Sequence, residues 1–393
     1  METPNRDRGL GQRGRRAVAL MVLALVAIVG ASVAYLHPSF GRLSRLTAPA
    51  PAPGPPLLSN SYAAAYDFVS TAQGWALVAD QGQAPRFWVF KTTDGARHWR
   101  PQFSGHSSGF GAAPLNIQFF DPLHGLIAFS SWGLVYRTAD GGSHWTEVTP
   151  PRTEPGAFTF CDPAHGWFLG FPALSTGQQA DFFATADGGT TWAALPAPPR
   201  FALSGKGGFV SVSFRRPSEG WTGGSEAGAV YSTIDGGLTW TAHSLPLTAG
   251  GKGGALHVPT QVRVLPGAGV MAITDELGNL VGFTSFDGGS TWRRLVPAPG
   301  ETNFGSFVFV DAFHWWAIRY GTLFKSSDAG QSWKETVQLL DEWDYVPQVL
   351  DARHAWAQML VVFPNANPPQ GTGLAMTSDG GIHWTPVNVP KPV

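Results

Sequence analysis

Thr185-Ala186-Asp187-Gly188-Gly189-Thr190-Thr191-Trp192 is the stretch whose reading decides the fold, because the chain of 393 residues writes the same pattern six more times. The pattern is a hydroxyl residue, any residue, Asp, Gly, usually Gly, two variable residues and Trp. Its other copies run Thr92 to Trp99, Thr138 to Trp145, Thr233 to Trp240, Ser285 to Trp292, Ser326 to Trp333 and Thr377 to Trp384. Successive tryptophans are 46, 47, 48, 52, 41 and 51 residues apart. A period in this range marks a propeller or a solenoid. The residue types fit a tight hairpin. The hydroxyl and the Asp can accept bonds from backbone N–H groups, Gly supplies positive φ, and Trp folds back as an apolar plug. The box therefore assigns structural roles to Asp94, Asp140, Asp187, Asp235, Asp287, Asp328 and Asp379, and to Trp99, Trp145, Trp192, Trp240, Trp292, Trp333 and Trp384. Ala96 and Ala329 each replace one of the glycines, so those two loops are expected to close under slight strain.

A second turn precedes the boxes by about 20 residues. Asp121-Pro122-Leu123-His124-Gly125, Asp162-Pro163-Ala164-His165-Gly166-Trp167, Asp311-Ala312-Phe313-His314-Trp315 and Asp351-Ala352-Arg353-His354-Ala355-Trp356 are its full copies, with Gly74-Trp75 and Gly220-Trp221 as partial ones. Strand-like alternation leads in, as with Leu115, Ile117 and Phe119 against Asn116 and Gln118. Each unit then reads strand A, turn, strand B, loop, strand C, box, strand D. Four strands per unit and seven units give an all-β, seven-bladed β-propeller of four-stranded blades over residues 60–393. The first unit begins with a strand at Tyr62 and the last ends with Thr385 to Val389, so the reading predicts seven contiguous blades with no exchanged strand and a weak seam between the first and the last.

Composition agrees. Charged residues are 13% of the chain, and 49 Gly with 32 Pro cannot sit inside long helices. Residues 1–16 form a basic tail with five arginines, and residues 17–36 contain no charge, Pro, Asn or Gln. Such a span crosses a bilayer as one transmembrane helix, here a signal-anchor. The flanking arginines leave the N-terminus in the cytoplasm and the propeller on the extracytoplasmic side. A cleaved, secreted form is the alternative, since Ser32-Val33-Ala34 could be cut. Residues 37–59, with Ala48 to Pro56 alternating Ala and Pro before a Gly-Pro-Pro end, form a stiff linker.

The Asp box and its period resemble the bacterial neuraminidase repeat. The fuller pattern, with the Asp-x-x-His-Gly-Trp turn before the box, is similar to the photosystem II assembly and stability factor-like propellers over residues 62–390. That resemblance implies a non-enzymatic scaffold that binds a protein partner at or near the membrane and assists the assembly or stability of a membrane or envelope complex. The same repeat occurs in sialidases, so a glycan-binding or glycan-hydrolysing propeller is the alternative.

The residues favour binding over catalysis. The boxed aspartates lie one per blade, and His98, His144, His383, His124, His165, His314 and His354 are periodic too, so neither a metal site nor a cofactor is expected. Phe214-Arg215-Arg216-Pro217 resembles the sialidase arginine motif but follows three boxes, where that family places it before the first. No facing carboxylate pair for glycan hydrolysis can be assigned, so no catalytic residue is expected. Residues 1–46 hold seven Arg, Glu2 and Asp7 of the chain's 26 basic and 27 acidic residues, which leaves 19 against 25 and a net charge of −6. That balance excludes nucleic acid as the partner. The long connections 101–115, 170–181, 241–262, 334–346 and 362–373 are the candidate recognition loops. Within them Asp341-Glu342-Trp343-Asp344-Tyr345, an aromatic flanked by acids, is the candidate partner-binding segment.

Overall fold

The computed structural model describes residues 57–80, 86–106, 115–129, 134–149, 151, 156–170, 181–199, 211–224, 227–248, 260–277, 279–299, 307–319, 322–338, 346–361 and 371–392. The basic tail, the apolar span 17–36 and most of the linker lie outside these residues. No helix among the described residues is long and apolar enough to cross a membrane.

After a short strand β1 (Leu58–Ser59), blade 1 contains β2 (Tyr62–Phe68), β3 (Gly74–Asp80), β4 (Arg86–Thr92) and β5 (Arg100–His106). Blade 2 contains β6 (Leu115–Phe119), β7 (Gly125–Phe129), β8 (Leu134–Thr138) and β9 (Thr146–Val148). Blade 3 contains β10 (Gly156–Phe160), β11 (Gly166–Gly170), β12 (Asp181–Thr185) and β13 (Ala193–Leu195). Blade 4 contains β14 (Val212–Arg216), β15 (Glu219–Gly223), β16 (Ala229–Thr233) and β17 (Thr241–Ser244). Blade 5 contains β18 (Gln261–Val264), β19 (Val270–Glu276), β20 (Asn279–Ser285) and β21 (Arg293–Arg294). Blade 6 contains β22 (Phe307–Phe309), β23 (Trp315–Arg319), β24 (Thr322–Ser326) and β25 (Lys334–Gln338). Blade 7 contains β26 (Val346–Val349), β27 (Ala355–Val361), β28 (Gly371–Thr377) and β29 (Thr385–Val387). Every blade is an antiparallel meander of sequential strands, so the seven-bladed, four-stranded expectation holds.

The expectation of contiguous blades without an exchanged strand does not hold. β1 pairs with β28, Leu58 opposite Thr372 and Ser59 opposite Gly371. β27 covers one edge of β28 along its whole length, while β29 reaches only Leu374 to Met376 on the other. β29 is three residues long, and the rest of that edge would stand open. The N-terminal segment closes it, so polypeptide read as linker joins the last blade.

The core lies between blades. In the second strand, one residue after the position paired with the box hydroxyl, stand Trp75, Trp167, Trp221, Trp316 and Trp356, all 5% exposed or less. Three of these indoles lie flat on the last phenylalanine of the next blade's first strand. Trp75 stacks on Phe119 with centroids 3.5 Å apart, Trp167 on Phe214 at 3.4 Å and Trp356 on Phe68 at 4.0 Å, all within 5° of parallel. The box tryptophan of that next blade then meets the phenylalanine edge-on, at 6.1 Å for Trp145, 6.3 Å for Trp240 and 6.2 Å for Trp99. Such rings carry large apolar areas and edge-to-face contacts in one unit. This repeated triplet is why one Trp per box and one per preceding turn recur together.

Candidate functional site

Each box is a closed hydrogen-bonded loop. The first hydroxyl is buried and accepts from the N–H four residues on, as Thr185 does from Gly189 at 2.8 Å and Ser326 from Gly330 at 2.9 Å. The same hydroxyl donates to the Asp, as from Thr185 to Asp187 at 2.8 Å. The Asp accepts from the N–H four residues beyond it, and its other oxygen takes a bond from the side chain of that residue. The side chains are His98, His144, Thr191, Thr239, Thr291, Ser332 and His383, at 2.5–2.7 Å. A position that reads as variable in the sequence is therefore always His, Thr or Ser. The bonds hold the carboxylates low. Asp94, Asp187, Asp235 and Asp287 fall to about 2, each first through the side chain named, and Asp140 to about 2 first through the His144 N–H. Asp379 is lowered first by the His383 N–H, and at Asp328 partial burial opposes a lowering that the Ser332 bonds win. Ala96 and Ala329 close their loops at φ 68° and 58°, the left-handed region expected to strain them.

The preceding turns use the same chemistry. Asp121, Asp162, Asp311 and Asp351 each accept two backbone N–H groups and face the Nδ1 of His124, His165, His314 and His354 at 2.8–2.9 Å. Turn and box are then tied within a blade, as by Gly188 N–H to Ala164 O at 2.8 Å. They are tied between blades too, by Trp75 Nε1 to Gly141 O at 3.1 Å and Trp167 Nε1 to Gly236 O at 3.0 Å. Boxes and turns thus share one face, with their acids and histidines committed to their own loops. No group of three or more His, Cys, Asp or Glu able to hold a metal occurs among the described residues.

A different set of polar side chains joins the first strands of adjacent blades. The residue one before the stacked position accepts the next blade's N–H. Gln348 accepts from Phe68 at 2.7 Å, Asp67 from Phe119, and Ser213 from Val264 at 3.1 Å. This satisfies donors on strands that have no further strand beside them. Asp67 also takes a bond from the Gln348 amide, so one carboxylate links blades 7, 1 and 2. Desolvation pushes its pKa up to about 6, against the lowering effect of those same bonds. The equivalent residue of blade 5 is Arg263, whose guanidinium lies 4.8 Å over the Phe309 ring and is lowered by desolvation. Neither residue stood out in the sequence, because each is a single charge within a strand pattern.

Asp341, Glu342, Trp343, Asp344 and Tyr345 lie outside the described residues, as do large parts of the other long connections. The described acids include a buried pair that the sequence reading passed over, Asp275 and Glu276 on β19. Glu276 is occupied: it pairs with Arg294 at 2.6 Å and accepts the Thr248 N–H at 2.7 Å. Arg215 is likewise engaged, with Glu219 and with the Gly269 carbonyl at 2.5 Å, and Arg216 pairs with Glu219, so the sialidase-like Arg215-Arg216 pair at the end of β14 is taken up by structural partners.

Residues 97–253 match the family model described as photosynthesis system II assembly factor YCF48. The chain is similar to the photosystem II assembly-factor propellers. The photosystem II assembly lipoprotein Ycf48 of Synechococcus sp. strain CC9902 is 30% identical over 135 residues, 33% of this chain and 37% of that protein. The chain thus aligns with little more than a third of that curated relative. Among solved structures, YCF48 bound to a D1 peptide superposes with a TM-score of 0.52 at 16% identity, over 83% of this chain and 99% of that one. YCF48 from Cyanidioschyzon merolae gives 0.50 at 15% identity, over 82% and 97%. At these identities the superpositions speak for the fold.

Proposed function

We propose that this protein is a non-enzymatic propeller scaffold that binds a polypeptide partner and assists the assembly or stability of a membrane or envelope complex. One observation carries the reading. The side chains with chemistry in both repeated motifs are consumed by their own turns, which leaves a rigid ring presenting surfaces. The similarity to assembly factors, one of them solved with a peptide, supports a polypeptide as the partner. In this reading residues 17–36 tether the propeller to the cell membrane on its extracytoplasmic side, and Asp341 to Tyr345 contribute to the binding face. Cross-linking in native membranes followed by mass spectrometry tests it. A membrane or envelope protein recovered in stoichiometric yield is expected. Protease added to intact spheroplasts should degrade the propeller; full protection would refute the orientation, and recovery of no cross-linked protein would refute the scaffold.

A further inference from the structure

Blade 2 lacks the ring that most blades push across their boundary. Leu126 stands where blades 1, 3, 4, 6 and 7 have Trp, and blade 5 has Met271. At the boundary of blades 5 and 6 the deficit is filled from the far side. Trp315 replaces the glycine that opens the second strand of blade 3, is fully buried, and shares one apolar cluster with Met271. Blade 3 has Gly166 at that position, so no indole fills the boundary of blades 2 and 3 from that side. A cavity of about 360 Å³ opens there, lined among others by Phe120, Leu126, Phe160, Arg137, His124 and His144.

In two of the five blades that carry the ring a cation accompanies it, while Trp167, Trp221 and Trp356 face Ala184, Ser232 and Met376. Across the strand pair, Trp75 faces Lys91 and Trp316 faces Lys325, with each ammonium about 5 Å from the indole centroid (5.0 and 4.9 Å). Leu126 faces Arg137 in the same register. One Arg137 nitrogen reaches the Asp187 carbonyl of the next box at 2.5 Å, beside the carbonyl position that Trp75 and Trp167 use in their own boundaries. Arg137 and Leu126 both line the cavity, so a ring seated there would meet a guanidinium, the cationic half of a cation–π pair.

We propose that this cavity binds an aromatic side chain of the polypeptide partner, which takes the place of the indole that blade 2 lacks. The inference rests on the protein-binding reading above. The guest ring enters from the box face, lies against Leu126 and Phe120, and is covered by Arg137.

The test uses the full-length chain in lipid nanodiscs, N-acetyl-tryptophanamide as probe, and saturation-transfer NMR with empty nanodiscs as background. The native chain should saturate the probe. Leu126→Trp, which restores the repeat and fills the cavity, should weaken binding by about tenfold or more without lowering the melting temperature. Unchanged saturation in Leu126→Trp, or none by the native chain at millimolar probe, overturns the proposal. Should Leu126→Trp lower the melting temperature, Phe120→Ala removes one wall, and unchanged probe binding in that variant overturns it equally. Membrane cross-linking separates the two readings. Loss of the partner in Leu126→Trp is the expected result. A partner retained by a variant that no longer binds the probe overturns this docking site and leaves the scaffold standing.

Discussion

Trp356 of the last blade lies flat on Phe68 of the first, with ring centroids 4.0 Å apart and planes 5° from parallel. The closing seam therefore carries the same stacked pair as the boundaries of blades 1 and 2 and of blades 3 and 4. It adds the Gln348 clasp on Phe68 and three bonds through Asn388: its N–H to Ala96 O at 3.1 Å, its side-chain amide to Arg97 O, and its carbonyl from Trp99 Nε1 at 2.8 Å. Trp356→Ala removes a 2%-exposed indole and should cost ~3–5 kcal/mol in reversible denaturation. A loss below ~1 kcal/mol would show that the ring closes by other contacts.

Asp67 makes the seam sensitive to pH. Its folded pKa, pushed up to about 6 from 3.8, means that the folded state holds the proton more tightly. As pH rises the unfolded chain releases that proton first. Its contribution to stability is therefore complete below about pH 4, falls as pH rises to about 6, and is flat beyond. Melting temperatures measured from pH 4 to 7 should show this decline. Asp67→Asn, which cannot ionise, should abolish the part due to Asp67; an unchanged slope in that variant would assign the titration elsewhere.

The box carboxylates act in the opposite sense. Asp94, Asp140, Asp187, Asp235 and Asp287, at about 2 in the folded state, lie below their ordinary 3.8. Their stabilisation is present above pH 4 and is lost as pH falls toward 2. Acid unfolding in that window is expected, and a chain that keeps its melting temperature at pH 2 contradicts the loop bonds. Asp187→Asn should lower the melting temperature above pH 4 and make the acid limb shallower, because it removes one of the groups that take up a proton on unfolding.

The buried hydroxyls offer a test of the box that needs no titration. Thr185→Val keeps the side-chain shape but leaves the buried Gly189 N–H without its acceptor. A buried donor left unmade costs ~1–3 kcal/mol. Thr191→Val, on the exposed side of the same loop, should cost less. Equal losses for the two would mean that burial of the donor is not what decides the cost.

The repeat made the blade count, the strand order and the box loops legible, because Asp, Gly and Trp each answer a local demand that recurs seven times. What escaped the sequence depends on two strands far apart in the chain. Asp67 and Phe119 are 52 residues apart, and nothing in either strand announces the bond. Leu126 reads as an ordinary strand residue until the facing Arg137 and the cavity between blades 2 and 3 reveal what is missing around it. The His, Thr or Ser before each box tryptophan was readable in principle, but two polar residue classes sharing one role looked like variation.

The exchanged strand is where the structure departs furthest from the contiguous blades that the sequence predicts. Counting residues after Trp384 gives a strand of sufficient length, yet the chain leaves the sheet after Val387 and turns Asn388 onto the first box. Leu58, 3% exposed, fills the space beside Gly371 and Thr372 and belongs to the apolar cluster that holds Trp356, Leu374 and Val389. Leu58→Ala should therefore cost ~2–5 kcal/mol although it lies before the first blade. Hydrogen exchange should localise the loss. Amides of Gly371 and Thr372, under β1, should lose protection first, while Leu374 to Met376, under β29, keep theirs. Equal protection of the two halves of β28 in Leu58→Ala would show that β1 does not hold the ring closed.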